Sequence, residues 1–208
     1  MRTHTAQELA MTDAPTRHSD HPIHKIFLER WSPRAFTGEE IAEAELMTLF
    51  EAARWAPSSY NSQPWRFLFA RKGTPHFDKF LGLLVPFNQS WAKNASALII
   101  LVSSETMLPP GAEKAIPSHS HSMDAGAAWE NLALQAHISG WAAHGMVGFD
   151  MDRAFAELNV PAGYRVEQAI AIGRQGDKAM LPDQLAAREA PSDRLPLAEI
   201  VLEGGFRS

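Results

Sequence analysis

The run "ALIILV", Ala97 to Val102, constrains this chain more than any other stretch. Every side chain in it is apolar, and it is rich in β-branched residues. It is too short for a helix and far below the ~20 residues that span a bilayer, so it predicts a buried strand. "VEQAIAIGR" (Val166–Arg174) reads as another apolar strand, and "WRFLFAR" (Trp65–Arg71), bounded by Gly73 and Pro75, as a third. Strands like these need a real core around them. A hydrophobic share of 45% against 21% charged residues is enough to build one.

Helical patterns alternate with these runs. In "TGEEIAEAELMTLFEAARWA" (Thr37–Ala56), Ile41, Leu46, Leu49, Phe50 and Ala53 recur at helical spacing. Thr37 is a candidate N-cap, Glu39 and Glu40 suit a first turn, and Pro57 stops the helix. His21–Arg30 and His76–Leu84 read as short helices, and Asp152–Val160 as one closed by Pro161. Met123–Gly140 reads as the longest, with Ala128, Asn131, Leu132, Gln135 and Ala136 on one stripe and Gly140 ending it. Glu105–Ser122 has the prolines, glycine and serines of a long loop. Ala142–Phe149 reads as glycine-loosened loop or strand, and the tail from Ala190 as extended with proline breaks. The irregular alternation predicts an α+β (α/β layered) class.

The 208 residues predict one domain over 21–208, preceded by a flexible polar arm over 1–20. No internal repeat or linker interrupts it. The arm lacks the apolar core of a secretory signal, so a cytoplasmic location is expected. With 0 cysteines, disulfides, cysteine-ligated zinc, iron–sulfur clusters and thiol nucleophiles are excluded. A net charge of −5 argues against a general nucleic-acid binder and leaves room for a local anion site. His18, His21 and His24, and His119 with His121, have spacings that can hold a metal. Without a supporting carboxylate or cysteine cluster, no metal is assigned, and both stretches read as mobile arm or loop.

Two stretches carry chemistry. "RWSPRAF" (Arg30–Phe36) packs Arg30, Ser32 and Arg34 together. On a helical turn the two arginines would share a face. Guanidinium forks bind phosphate with paired, charge-assisted hydrogen bonds, and surface ion pairing is the plain alternative. "APSSYNSQPW" (Ala56–Trp65) sets Ser58, Ser59, Asn61, Ser62 and Gln63 between a helix and an apolar strand. Donors and acceptors of both polarities there suit a planar heterocycle, and a capping loop of turn formers is the alternative.

In that order the two stretches resemble the nitroreductase family, which carries an Arg-x-Ser-x-Arg element followed by Ala-Pro-Ser…Asn-x-Gln-Pro-Trp-x-Phe. The resemblance extends through "MDAGAAWENLALQAHISGW", "AHGMVGFD", "VEQAIAIG" and "DRLPLAEIV", over about residues 21–203. It implies a three-layer fold with a central, mixed but mainly antiparallel sheet flanked by helices, in an intertwined homodimer with flavin sites at the interface. It implies FMN as cofactor, with NADH or NADPH as donor, and ping-pong transfer of hydride through flavin N5 to an electron-poor acceptor such as a nitroaromatic or quinone. Arg30, Ser32, Arg34 and Arg194 would hold phosphate and ribityl oxygens. Ser58, Ser59, Asn61 and Gln63 would line the flavin, and His144 and Gly145 would lie in a loop near its ring. No protein nucleophile or acid–base residue is implied. The alternatives are the same flavin fold with specialised chemistry (reductive dehalogenation or flavin conversion) and a flavin-free interaction protein. Neither a nucleic-acid nor a membrane partner is expected.

Overall fold

The computed structural model describes residues 17–206. The arm expected over 1–20 therefore lies mostly outside the described residues. The chain order is α1 (Ile26–Glu29), α2 (Glu43–Arg54), β1 (Trp65–Arg71), α3 (Phe77–Gly82), α4 (Pro86–Ala92), β2 (Ala97–Ser104) and a two-stranded ribbon of β3 (Thr106–Met107) with β4 (Ile116–Pro117). It continues through α5 (His121–Ile138), β5 (Ala142–Met146), α6 (Met151–Glu157), β6 (Tyr164–Gly173), α7 (Asp183–Ala186) and α8 (Leu197–Ile200). The main sheet has the order β1-β2-β6-β5, and every ladder in it is antiparallel.

The run at Ala97–Val102 is apolar throughout because β2 lies inside the sheet and both its faces are covered. Alternate side chains of a strand point to opposite faces. Leu98, Ile100 and Val102 join the core formed with α3 and α4. Ala97, Ile99 and Leu101 join the core under α2 and α5. These are the three layers. Burying each Ile or Leu fully contributes roughly 1.5–3 kcal/mol. In α2, Leu46, Leu49 and Ala53 face the sheet, and Phe50 packs on Phe67 and Phe69 at ring distances of 5.3 and 5.4 Å. Ala125, Ala128, Ala133 and Ala136 of α5 are fully buried. Their small side chains let α5 approach α2 closely, and Asn131 Nδ2 of α5 donates to the Ala52 carbonyl at 3.3 Å.

Several expectations are corrected. The helix assigned to Thr37–Ala56 begins at Glu43, so Thr37 is not its cap. Residues 34–37 are held instead along the end of the sheet. Thr37 N donates to Arg174 O at 3.0 Å, Gly176 N donates to Ala35 O at 2.8 Å, and Phe36 forms a bridge with Gln175. This seam depends on Gly173, where a Cβ would sit 2.6 Å from the Phe36 ring. It also keeps Arg30 and Arg34 off the helical turn considered for them, because residues 30–35 form no helix. Ala142–Met146, read as loop or strand, is a strand at the sheet edge, so His144 and Gly145 stand on β5 and not in a loop. Helix α4 was not anticipated, and Pro86 opens it at a first-turn position where its missing N–H costs nothing. The long loop 105–122 contains the β3–β4 ribbon and ends at His121, which starts α5.

His121 is therefore not part of a mobile histidine pair. Its Nδ1 lies 2.7 Å from Ser103 Oγ, and Ser103 in turn donates to Glu167 Oε1 at 2.5 Å. With the serine proton committed to the carboxylate, Nδ1–H is the donor to Ser103. Ser122 Oγ adds a bond to the same carboxylate at 2.7 Å. This buried cluster fastens the start of α5 to β2 and β6.

Candidate functional site: an arginine-lined cavity

The seam at residues 34–37 brings the first arginine cluster against the C-terminal segment. A cavity of about 350 Å³ opens between them. The early chain lines it with Arg17, Arg30, Trp31, Ser32 and Arg34, β5 with His144 and Gly145, and the later segment with Arg188, Ala190, Ser192 and Arg194. Five arginines line this space, and among the described residues no acidic one does. Ser32 Oγ receives a long bond from Arg30 Nη1 at 3.4 Å. Arg30 Nε lies 3.8 Å from Glu130 Oε1, and Arg34 Nη1 lies 3.7 Å from Glu189 Oε2. Such loose pairing leaves most donors of Arg30 and Arg34 available, whereas Arg17 and Arg194 already donate to backbone carbonyls. A dense group of forked donors with no acidic lining suits an oxyanion of charge near −2, so the residues fit a phosphate monoester such as the one FMN carries.

His144 forms the floor. Its Nδ1 donates to Pro33 O at 3.0 Å, which fixes the tautomer, and its ring packs against Trp91 at 4.7 Å, tilted by 45°. Burial foremost, and then the Arg34 cation, hold its pKa below the usual histidine value, although the Pro33 carbonyl opposes them. His144 is therefore neutral near pH 7, and a role as proton donor is disfavoured. The sign of the linkage follows. The unfolded histidine takes up a proton near pH 6.5 while the folded one resists it, so stability is retained above that pH and lost as pH falls below it. Wild type should lose up to ~1.4 kcal/mol per pH unit below pH 6.5 through this group. His144→Gln should flatten that part of a pH series of thermal melts, and an identical slope in both proteins would remove the assignment.

The structure gathers six of the ten sequence-predicted residues in the cavity: Arg30, Ser32, Arg34, His144, Gly145 and Arg194. Ser58, Ser59, Asn61 and Gln63 do not line it. They sit in the connection from α2 to β1, around a short 3₁₀ turn at Ser59–Asn61. Tyr60, Asn61 and Gln63 there have φ of 52°, 53° and 47°, the left-handed region that side chains other than glycine seldom adopt. The loop is tied to α5 by Ser59 N, which donates to Asp124 Oδ2 at 3.2 Å, and within itself by Gln63 N, which donates to Ser58 Oγ at 3.0 Å. Strain held by such ties collects at functional sites.

Sequence reasoning missed Arg17, Arg188 and Glu189. Arg17 lay in the stretch read as an arm. It donates to Leu28 O, Arg30 O and Ser192 O at 3.1, 2.8 and 2.9 Å. Burial, then the Arg194 and Arg30 cations, lower its pKa from the usual arginine value. Arg188 had an available signal, its six-residue spacing from Arg194. Glu189 had none.

A family model described as "Nitroreductase family" matches residues 28–84. Among solved structures, an oxidoreductase containing FMN is 48% identical, with a TM-score of 0.89 over 95% of this chain and 99% of its own. A candidate nitroreductase in complex with FMN from Desulfovibrio desulfuricans is 28% identical, with a TM-score of 0.66 over 91% of this chain and 100% of its own. The NADH dehydrogenase of Thermus thermophilus is 26% identical across 84% of this chain and 92% of that protein. The matched residues 28–84 hold both the Arg30–Arg34 cluster and the strained Ser58–Gln63 loop, and the whole-chain likeness extends over the cavity's later half; the chain belongs to the nitroreductase family.

Proposed function

We propose that the chain is an FMN-dependent oxidoreductase that takes hydride from NADH or NADPH and passes electrons to a small electron-poor acceptor. The observation that carries this reading is the cavity with five arginines and Ser32 but, among the described residues, no acidic lining residue. Arg30, Arg34, Arg188 and Arg194 would grip the phosphate of FMN, with Ser32 as a further hydrogen-bonding partner. Gly145 lines the cavity from β5, where a Cβ would meet Gln168 Oε1 at 2.8 Å and the Trp129 ring at 3.1 Å, so glycine lets the strand pack on those side chains. His144, neutral and with its Nδ1 proton committed to Pro33, presents an uncharged surface to the cofactor. When bound, FMN would supply the hydride-transfer chemistry. The protein's share is binding, orientation and exclusion of water.

The Ser58–Gln63 loop completes the reading. It lies outside the cavity of its own chain, and its residues are exposed or half-buried, although Ser62 Oγ is itself buried. In a homodimer it would line the flavin held by the second copy. The exposed Leu195, Ile200, Val201 and Phe206 of the tail would find their cover in the same assembly. Among the described residues no helix is long and apolar enough to cross a membrane.

The test is the visible absorption spectrum of the purified protein, reconstituted with FMN and then mixed with NADH or NADPH without oxygen. A yellow band that bleaches with one donor is expected and identifies that donor. A colourless protein that takes up no FMN would overturn the proposal.

A further inference from the structure

Glu189 is the feature that the binding reading does not absorb. A carboxylate beside an anion site repels the anion, yet this one is almost wholly inside, its side chain 3% exposed. Its Oε1 accepts from the backbone N–H of Arg34 at 2.5 Å and of Ala35 at 2.8 Å. Its Oε2 has no hydrogen-bond partner among the described residues and stands 3.7 Å from Arg34 Nη1. One side chain thus fixes the backbone on which Arg34 stands and sets a charge beside its guanidinium. The same residue belongs to the segment that brings Arg188, Ser192 and Arg194 to the cavity. That segment is anchored upstream by Leu185, buried in the core, and downstream by Arg17, which bonds Ser192 O.

We infer that Glu189 is a positioning residue for the anion site: it aims Arg34 and docks the C-terminal half of the cavity onto the first half. The carboxylate takes up the two backbone donors nearest Arg34, so an incoming oxyanion meets the guanidiniums and not those N–H groups. Fixing the turn before the ligand arrives removes an ordering cost from binding. This inference rests on the proposed FMN reading, because phosphate is the group that Arg34 is aimed at.

The experiment compares two ligands on flavin-stripped protein. FMN and riboflavin differ by the phosphate alone, so the ratio of their Kd values, measured by flavin fluorescence, isolates the anion site. Glu189→Ala should reduce the preference for FMN by about tenfold, the scale of a charged hydrogen bond, with riboflavin affinity unchanged. Glu189→Gln keeps a carbonyl acceptor for the two backbone donors. It should fold if the alanine variant does not, and should show a smaller loss of the same sign. Glu189→Ala combined with Arg34→Ala should be no worse than Arg34→Ala alone, because the two side chains act through one contact.

The sign is decisive. A bystander negative charge, once removed, would raise the preference for FMN, and that result overturns the inference, as does an unchanged ratio or full additivity. Equal weakening of both ligands also overturns it, because that signals a general loss of structure. A wild-type protein that does not prefer FMN over riboflavin sinks the FMN reading itself. Wild-type preference retained in both Glu189 variants sinks only the role of Glu189.

Discussion

Trp91→Ala should cost about 3–5 kcal/mol of stability and lower Tm by roughly 6–20 °C. Trp91 is 1% exposed and lies in the core between Phe36, at a ring distance of 6.0 Å, and His144, at 4.7 Å. Its Nε1 makes no hydrogen bond, so the substitution orphans no polar partner. The whole cost is lost contact and an unfilled hole. Both neighbours belong to the site's frame, since Phe36 holds the seam beneath Arg34 and His144 floors the cavity. Flavin affinity should therefore fall together with Tm. Trp91→Phe, which leaves a smaller hole, should lose less of both. A melt of the alanine variant within 2 °C of wild type would show that the site's floor does not depend on this ring.

Arg34→Ala should weaken FMN binding by about 1.5–3 kcal/mol, a rise in Kd of roughly 10- to 150-fold. It removes a guanidinium from the cavity and also leaves the buried Glu189 carboxylate without its cation at 3.7 Å. Some thermal stability should go as well, because breaking a buried pair leaves an uncompensated charge. Arg34→Lys keeps the charge and loses the planar fork, so it should recover the melt better than the affinity. Flavin titrations at low and high salt separate the two terms, since the wild-type advantage should shrink as salt rises. Unchanged FMN affinity in Arg34→Ala would remove the phosphate assignment.

Much of this frame was legible in the chain because its signals are local. Ala97–Val102 could only be a buried strand, and Arg30, Ser32 and Arg34 stand within five residues of one another. What escaped depends on contacts between distant segments. Thr37 had the chemistry of a helix cap, but residues 36 and 37 pair with 174 and 175, and the helix starts only at Glu43. Ala142–Met146 has almost no pattern of its own and becomes a strand only against β6. Glu189 looks like any surface glutamate until the fold buries it against Arg34, 155 residues away in sequence. The Ser58–Gln63 loop shows the reverse case. Its composition suggested a binding surface, but composition carries no information about which wall of the molecule it would occupy.

The seam between Arg34 and Glu189 also sets an order of events. The β1–β2 and β2–β6 pairings and the α2–α5 packing make a core that needs nothing beyond Gly173. The cavity needs closures over 155 and 175 residues, at Glu189 and at Ser192. Contacts that far apart are the slowest to form, since the chain loses loop entropy before they return anything. The sheet should therefore mature first and the anion site last, when Glu189 draws the two distant segments together. In a newly made chain, a preformed grip for the flavin then arises only with the last closures of the fold.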